Sequence, residues 1–211
     1  MATIPYDERL EHLLTTAARV FADKGYHATA MRDLARATGM SLAGMYYYVQ
    51  GKDDLLFQIQ ERCFQQVLAG ATAAVAEGTT PAERVTRFVQ HHVGFFASHM
   101  SEMKVLSHEA KSLRGPRLDK INRLKRRYVD LLAGLIAGLE TDGDGPRSGA
   151  ERVGRLDPRL AAYGLFGMMN WIYTWYDPKG PVSPATLAET FAQLFLAGAA
   201  GMPSAVAPGG L

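Results

Sequence analysis

Residues 29–55, TAMRDLARATGMSLAGMYYYVQGKDDL, constrain this chain more than any other stretch. Thr29 suits an N-cap, and Met31, Leu34 and Ala35 then recur at helical spacing. Gly39 follows four residues after Ala35, where a left-handed C-terminal residue is wanted and glycine carries no Cβ strain. Ser41 caps a second, short helix whose Leu42, Ala43 and Gly44 leave a low surface. The small Ala35 lets two helices cross closely, and Met45 is placed to turn inward. The pattern predicts a helix-turn-helix, an arrangement whose second helix enters a DNA major groove.

The flanking segments predict more helices and no strands. Residues 6–24 place Leu10, Leu13, Leu14, Ala17, Val20 and Phe21 on one face, and Gly25 ends that run. From Lys52 to about Glu77 the series Leu55, Leu56, Ile59, Cys63 and Val67 predicts a long helix, broken at Gly78. Thr80-Pro81-Ala82-Glu83 is a capping-box start for a helix carrying Val85, Phe88, Val89, His92, Phe95 and Phe96. A short helix over about 102–113 follows. Gly115-Pro116 opens another, with leucines, Ile121 and Tyr128 at steps of three and four up to Leu139. Residues 142–149, DGDGPRSG, predict a polar loop. Asp157-Pro158 and Ser183-Pro184 start the last two helices, expected to run to about Tyr176 and Ala197. The first of these is apolar nearly all round, so it needs two partners to cover it. The expected fold class is all-α: an N-terminal three-helix helix-turn-helix domain over 1–52, then a C-terminal helical ligand-binding and dimerisation domain over 53–200. A disordered tail is expected over 201–211.

Composition excludes several classes. With 47% hydrophobic and 21% charged residues the chain reads as a globular protein, and no apolar run is long enough to span a bilayer. The N-terminus lacks a charged-then-apolar leader pattern, and the single cysteine, Cys63, fits a reducing cytoplasm and a buried structural thiol. No nucleophile with a placed base, no phosphate-cradling glycine loop and no metal-ligand spacing is present, so neither enzyme activity nor a cofactor or metal is expected. His91, His92, His99 and His108 read as isolated polar histidines on helices. Charge is the awkward feature. The formal net charge is only +2, and over 1–60 the cations Arg9, Arg19, Lys24, Arg32, Arg36 and Lys52 are balanced by acids. A DNA reader with this head depends on motif geometry and a few placed cations, not on a broad basic surface.

In this region the chain resembles the TetR family of bacterial transcriptional repressors. The matching residues are Phe21, Gly25, Asp33-Leu34-Ala35, Gly39, Ser41, Met45-Tyr46-Tyr47-Tyr48-Val49 and Lys52-Asp53-Asp54-Leu55. The resemblance implies that the DNA-facing set is Thr29, Arg32, Ser41, Leu42, Ala43, Gly44, Tyr46, Tyr47, Tyr48 and Lys52. Arg32 suits guanine, or alternatively a phosphate or an internal salt bridge. Leu42, Ala43 and Gly44 occupy base-facing positions yet offer only apolar contact. Tyr46 and Tyr47 fall near phosphates and Tyr48 near a base or backbone, although three consecutive tyrosines on one helix cannot all face outward. Lys52, at a helix N-terminus, is expected on a phosphate oxygen.

The body phrases KVLSHEAKSL and GMMNWIYTWYDPKGPVSP resemble a TetR subgroup that answers to acyl-CoA thioesters and controls fatty-acid, sterol or aromatic-acid degradation. That resemblance makes His108, Glu109, Asn170, Trp171, Trp175 and Tyr176 candidates for an effector pocket. The basic run Arg114, Arg117, Lys120, Arg123, Lys125, Arg126 and Arg127 reads first as the solvated face of an amphipathic helix. It reads alternatively as a lip for ligand phosphates, with Arg123 and Arg127 as its candidates. Together these readings describe a homodimeric, ligand-responsive repressor paired through its last two helices. It would be released from a palindromic operator by a small hydrophobic effector, an acyl-CoA thioester among those implied. The alternatives are a helical protein-interaction module with weak DNA binding and an acyl-processing enzyme.

Overall fold

A computed structural model describes residues 5–139 and 157–201. The expected loop over 142–149 and most of the expected tail lie outside those residues. Among the described residues every regular element is a helix: α1 (Tyr6–Lys24), α2 (Met31–Thr38), α3 (Leu42–Tyr46), α4 (Lys52–Ala76), α5 (Pro81–Ser98), α6 (Met100–His108), α7 (Gly115–Leu139), α8 (Pro158–Asn170) and α9 (Pro184–Gly201). The all-α expectation holds, and most boundaries fall where the caps placed them.

The caps explain why. Gly25 and Gly39 both have positive φ, at 86° and 68°, and stop α1 and α2. The Glu83 carboxylate accepts from the Thr79 and Thr80 N–H groups while Thr80 Oγ1 accepts from Glu83 N–H, so α5 begins on a reciprocal cap. Asp157 caps α8 through the Arg159 and Leu160 N–H groups, and Ser183 caps α9 through Thr186 N–H. Two boundaries differ. The helix expected at 102–113 is α6, which starts at Met100 and ends at His108. The helix expected to reach Tyr176 stops at Asn170 and tightens into a 3-10 turn, Trp171–Thr174.

The chain forms two compact units. The first comprises Met1–Gln66 and His99–Lys125. In it α1 packs on α2 and α6, burying Leu13, Ala17, Phe21, Leu34, Met45 and Met103. The second comprises Val67–Ser98 and Arg126–Leu211. There α5 packs mainly along α9 and also on α8, around Phe88, Val89, Leu132, Leu165, Met169 and Ile172. Each large apolar side chain so enclosed contributes roughly 1.5–3 kcal/mol from lost water contact.

Candidate functional site

The first three helices make the expected reading head. The Gly39 turn returns the Met40 N–H to Ala35 O at 3.1 Å, and Ser41 Oγ accepts from Gly44 N–H at 3.0 Å to start α3. Gly44 leaves room for that cap, since a Cβ there would stand 3.1 Å from Ser41 Oγ. Met45 is fully buried and anchors the short helix, so its other side faces out. Tyr46 and Tyr47 are exposed, Tyr47 by 74%, whereas Tyr48 is half-buried and is the inward member of the three. Ala43 is exposed, and Leu42 and Gly44 are half-exposed beside it. Arg32 and Arg36 are exposed on α2, and no ion pair among the described residues engages either.

Thr29 departs from its expected role. It is buried, and its hydroxyl donates to Gly25 O at 2.8 Å. Ala30 holds the N-cap position instead, and Asp33 compensates for the missing side-chain acceptor by taking the Ala30 N–H at 3.1 Å. The carbonyl four residues back is simply the nearer partner for a threonine hydroxyl here.

Lys52 departs further. Its Nζ donates to Tyr26 O at 2.9 Å, His27 O at 3.3 Å and Thr29 O at 3.0 Å, and lies 4.6 Å from the centroid of the Tyr26 ring. An ammonium has three donors, and all three are committed inside the head. Lys52 therefore ties the first turn of α4 to the α1–α2 loop and supports the reading surface from behind. Next to it the Tyr26 phenol donates to Asp53. Burial, reinforced by that carboxylate, pushes the phenol above its ordinary range.

Acids in the first half of α4 are engaged internally as well. Asp54 accepts from Gln50 N–H at 2.9 Å and from Arg117 at 2.9 Å, and Glu61 pairs with Lys120. The Arg117 guanidinium lies 5.8 Å, and Lys120 Nζ 5.7 Å, from the Phe57 ring centroid. Lys125 sits 5.6 Å from that of Phe64, with its pKa lowered by burial. Much of the expected basic lip is thus internal packing of α7 on α4. Arg123 and Arg127 stay exposed.

The expected effector residues scatter. In the first unit His108 is exposed, while Glu109 takes a hydrogen bond from Ser112 Oγ and, through its carbonyl, another from Gln60 Nε2 at 3.2 Å. In the second unit Asn170 is exposed, as are Trp171 by 60% and Trp175 by 56%. Tyr176 is buried and donates to Val182 O at 2.9 Å. Trp171 continues an outward apolar stripe formed by Leu160, Gly164 and Met168 on α8. The stripe borders a groove completed by Leu194, Phe195 and Gly198 of α9.

The polar centre of the second unit is one that the sequence reading did not anticipate. His92 is completely enclosed by Phe88, Phe96, Tyr128 and Phe166, with Nδ1 3.0 Å from the Tyr128 hydroxyl. Burial depresses its pKa to about 3, nearby His91 adds to the fall, and the side chain of Asn170 partly opposes it. His91 is pressed onto Gly70, where a Cβ would come within 2.3 Å of its ring. His92 thus lies on the apolar face on which the sequence places it, and neither histidine is isolated from neighbouring side chains. The available signal was register: His92 lies four residues after Phe88 and four before Phe96. Among the described residues no three His, Cys, Asp or Glu side chains gather to hold a metal. No described helix is long and apolar enough to cross a membrane.

Comparison with known proteins decides the family. Residues 13–59 match the family described as bacterial regulatory proteins, tetR family. Residues 78–199 match the tetracyclin repressor-like C-terminal domain. This chain is a TetR-family transcriptional regulator. It is similar to the HTH-type transcriptional regulator BetI of Rhizobium meliloti (strain 1021), with 30% identity over 177 residues covering 83% of this chain and 81% of that one. It is 23% identical over 187 residues to the fatty acid metabolism regulator protein of Bacillus subtilis (strain 168), covering 88% and 93% of the two chains. Among solved structures it resembles AibR in complex with isovaleryl coenzyme A and operator DNA, at 28% identity and a TM-score of 0.75, covering 88% and 97%. These TetR-type relatives are regulators rather than enzymes. The head geometry is accordingly that of a DNA reader, and the body is the regulatory part of the same chain.

Proposed function

We propose that this regulator holds a palindromic operator as a homodimer in the cytoplasm and is released from it by an acyl-CoA thioester. The DNA-reading part is the 1–52 head, followed by an effector-binding and dimerisation body. One observation carries the DNA half of this reading. Arg32 and Arg36 on α2 are exposed with no ion pair among the described residues, and Tyr46 and Tyr47 are exposed on α3, which α2 contacts. These few placed cations and phenols, not a net positive head, are what would meet the phosphates. Arg32, Tyr46 and Tyr47 make the outward contacts, with Leu42, Ala43 and Gly44 against the bases. Ser41, Tyr48, Thr29 and Lys52 hold them in place.

Two features support the dimer. The α8–α9 face exposes Leu160, Met168 and Leu194, the last by 62%, in a protomer whose other large aliphatic side chains are mostly buried. The second feature is the likeness of residues 78–199 to the tetracyclin repressor-like C-terminal domain, and a two-fold protein matches the two-fold operator proposed. Support for the thioester comes from relatives: AibR was solved with isovaleryl coenzyme A and operator DNA, and the Bacillus subtilis relative is a fatty acid metabolism regulator protein. Arg123 and Arg127, exposed and without an ion pair among the described residues, are suited to its phosphates. Thermal-shift screening tests the effector class, because a ligand that binds only the native state raises the melting temperature with concentration. Isovaleryl-CoA or longer thioesters should raise it, and free CoA or free fatty acids should do so much less. Stabilisation by free acids alone would replace the thioester with a different effector.

A further inference from the structure

Tyr6, the first residue of α1, lies far from the turn-and-helix motif in sequence but against it in space. Its ring centroid is 4.8 Å from that of Tyr48, tilted by 31°, and 5.9 Å from that of Tyr47 in an edge-to-face pair. Tyr47 and Tyr48 meet each other edge-to-face at 5.1 Å. The three rings close a triangle in which Tyr6 and Tyr47 are exposed and Tyr48 is half-buried. We propose that Tyr6 is a positioning residue of the operator interface, acting through the rings of Tyr47 and Tyr48 rather than by touching DNA itself. This rests on the DNA-reading function proposed above.

α3 is poor in polar reading groups. Leu42, Ala43 and Gly44 give it no side-chain hydrogen-bonding group at its first three positions, and Lys52 is engaged internally. Affinity then depends strongly on where a few tyrosine hydroxyls are held. Tyr47 is 74% exposed on a helix of only five residues, so alone its ring would sample several rotamers. Contacts from Tyr6 and Tyr48 restrict it before DNA arrives, which removes part of the ordering cost on binding. A direct phosphate contact by the start of α1 is disfavoured by its own acids, since Asp7 and Glu8 occupy the first turn. Pro5, the residue before, has no backbone N–H to offer. The ring of Tyr6, not its hydroxyl or its helix end, is the working part.

The test is a double-mutant cycle on the full-length protein, read as affinity for a duplex from its own upstream region. Tyr6→Ala should weaken binding roughly three- to tenfold, the range that aromatic pairs support. Tyr6→Phe should restore wild-type affinity, because it keeps the rings and loses only the hydroxyl. In a Tyr47→Ala, Tyr48→Ala background, Tyr6→Ala should have no further effect. Tyr6→Ala should lower the melting temperature only modestly and leave thioester-induced stabilisation unchanged, and Tyr6→Phe should restore both melting temperature and affinity, which separates positioning from damage to the fold. The proposal is overturned if Tyr6→Ala binds like wild type, if Tyr6→Phe is as weak as Tyr6→Ala, or if the losses add in the double background. Absence of specific binding by the unsubstituted protein would instead sink the DNA-reading function on which it rests.

Discussion

In the first unit Asp33, Asp53, Asp54 and Glu61 each have a named donor, and Lys52 uses all three of its own. Among the described residues of the second unit buried polar side chains are fewer: Thr16, Thr29, Thr38 and Gln60 are enclosed in the first, whereas the second encloses His92 among aromatic rings. The first unit is therefore defined by directional contacts that fix a small surface to within hydrogen-bond tolerance. The second is defined by aromatic and aliphatic packing, which tolerates rearrangement more readily when a side chain is asked to move. That difference suits a molecule in which one region must present fixed groups to DNA and another must respond to a ligand.

If aromatic packing dominates the second unit, its largest sensitivity is to cavities. Phe88→Ala should lower stability by roughly 3–5 kcal/mol, measured by urea unfolding, because the fully buried ring contacts His92, Tyr128 and Phe166. A loss below about 1 kcal/mol would show that the unit collapses around the void, and the contrast with the first unit would need restating.

The histidine sharpens the contrast by pH. Unfolded, His92 titrates near 6.5, whereas burial holds the folded group at about 3. Between those values the unfolded chain takes up a proton that the folded chain refuses. Stability from this group is thus complete above pH 6.5, falls as the pH drops, and is gone near pH 3, with a slope of order 1 kcal/mol per pH unit. Burial lowers His91 as well, which acts in the same direction. His92→Phe should flatten the melting temperature between pH 6 and about 4.5. An unaltered profile would mean that His92 is not the group responsible.

The polar latch of the first unit should give a smaller effect on stability and a larger one on DNA. Lys52→Met keeps the aliphatic stem and removes the ammonium donor from the carbonyls of His27 and Thr29, while Tyr26 O keeps only the Thr29 N–H. It should cost about 2 kcal/mol in thermal unfolding and weaken operator binding. Weakened DNA binding with unchanged stability would restore the direct phosphate role that the resemblance implied for Lys52.

What could be seen in the sequence divides along the same line. The helix starts and stops were legible because each depends on residues within four positions: Gly25, Gly39, Ser41, the Thr80–Glu83 cap and Asp157. Thr29 was assigned one position off because a hydroxyl chooses between a forward N–H and a backward carbonyl by geometry that spacing does not reveal. The committed state of Lys52 was not legible, since its acceptors lie 23 to 26 residues earlier. The tilted ring contact of Tyr6 with Tyr48 spans a still longer separation. In the body, resemblance pointed to Trp171, Trp175 and Asn170 as pocket residues, but the 3-10 turn and the end of α8 leave them exposed in the protomer. Periodicity showed that α8 is apolar all round. It could not say which side faces its own core.

The most direct test of the account is a titration of the purified protein against a labelled duplex from its own upstream region, at two salt concentrations and with unrelated DNA as competitor. The account predicts sequence-specific, salt-sensitive binding that saturates at two protomers per site and is reversed by a CoA thioester. Binding that does not distinguish the upstream duplex from the competitor, or no binding at all, would contradict it.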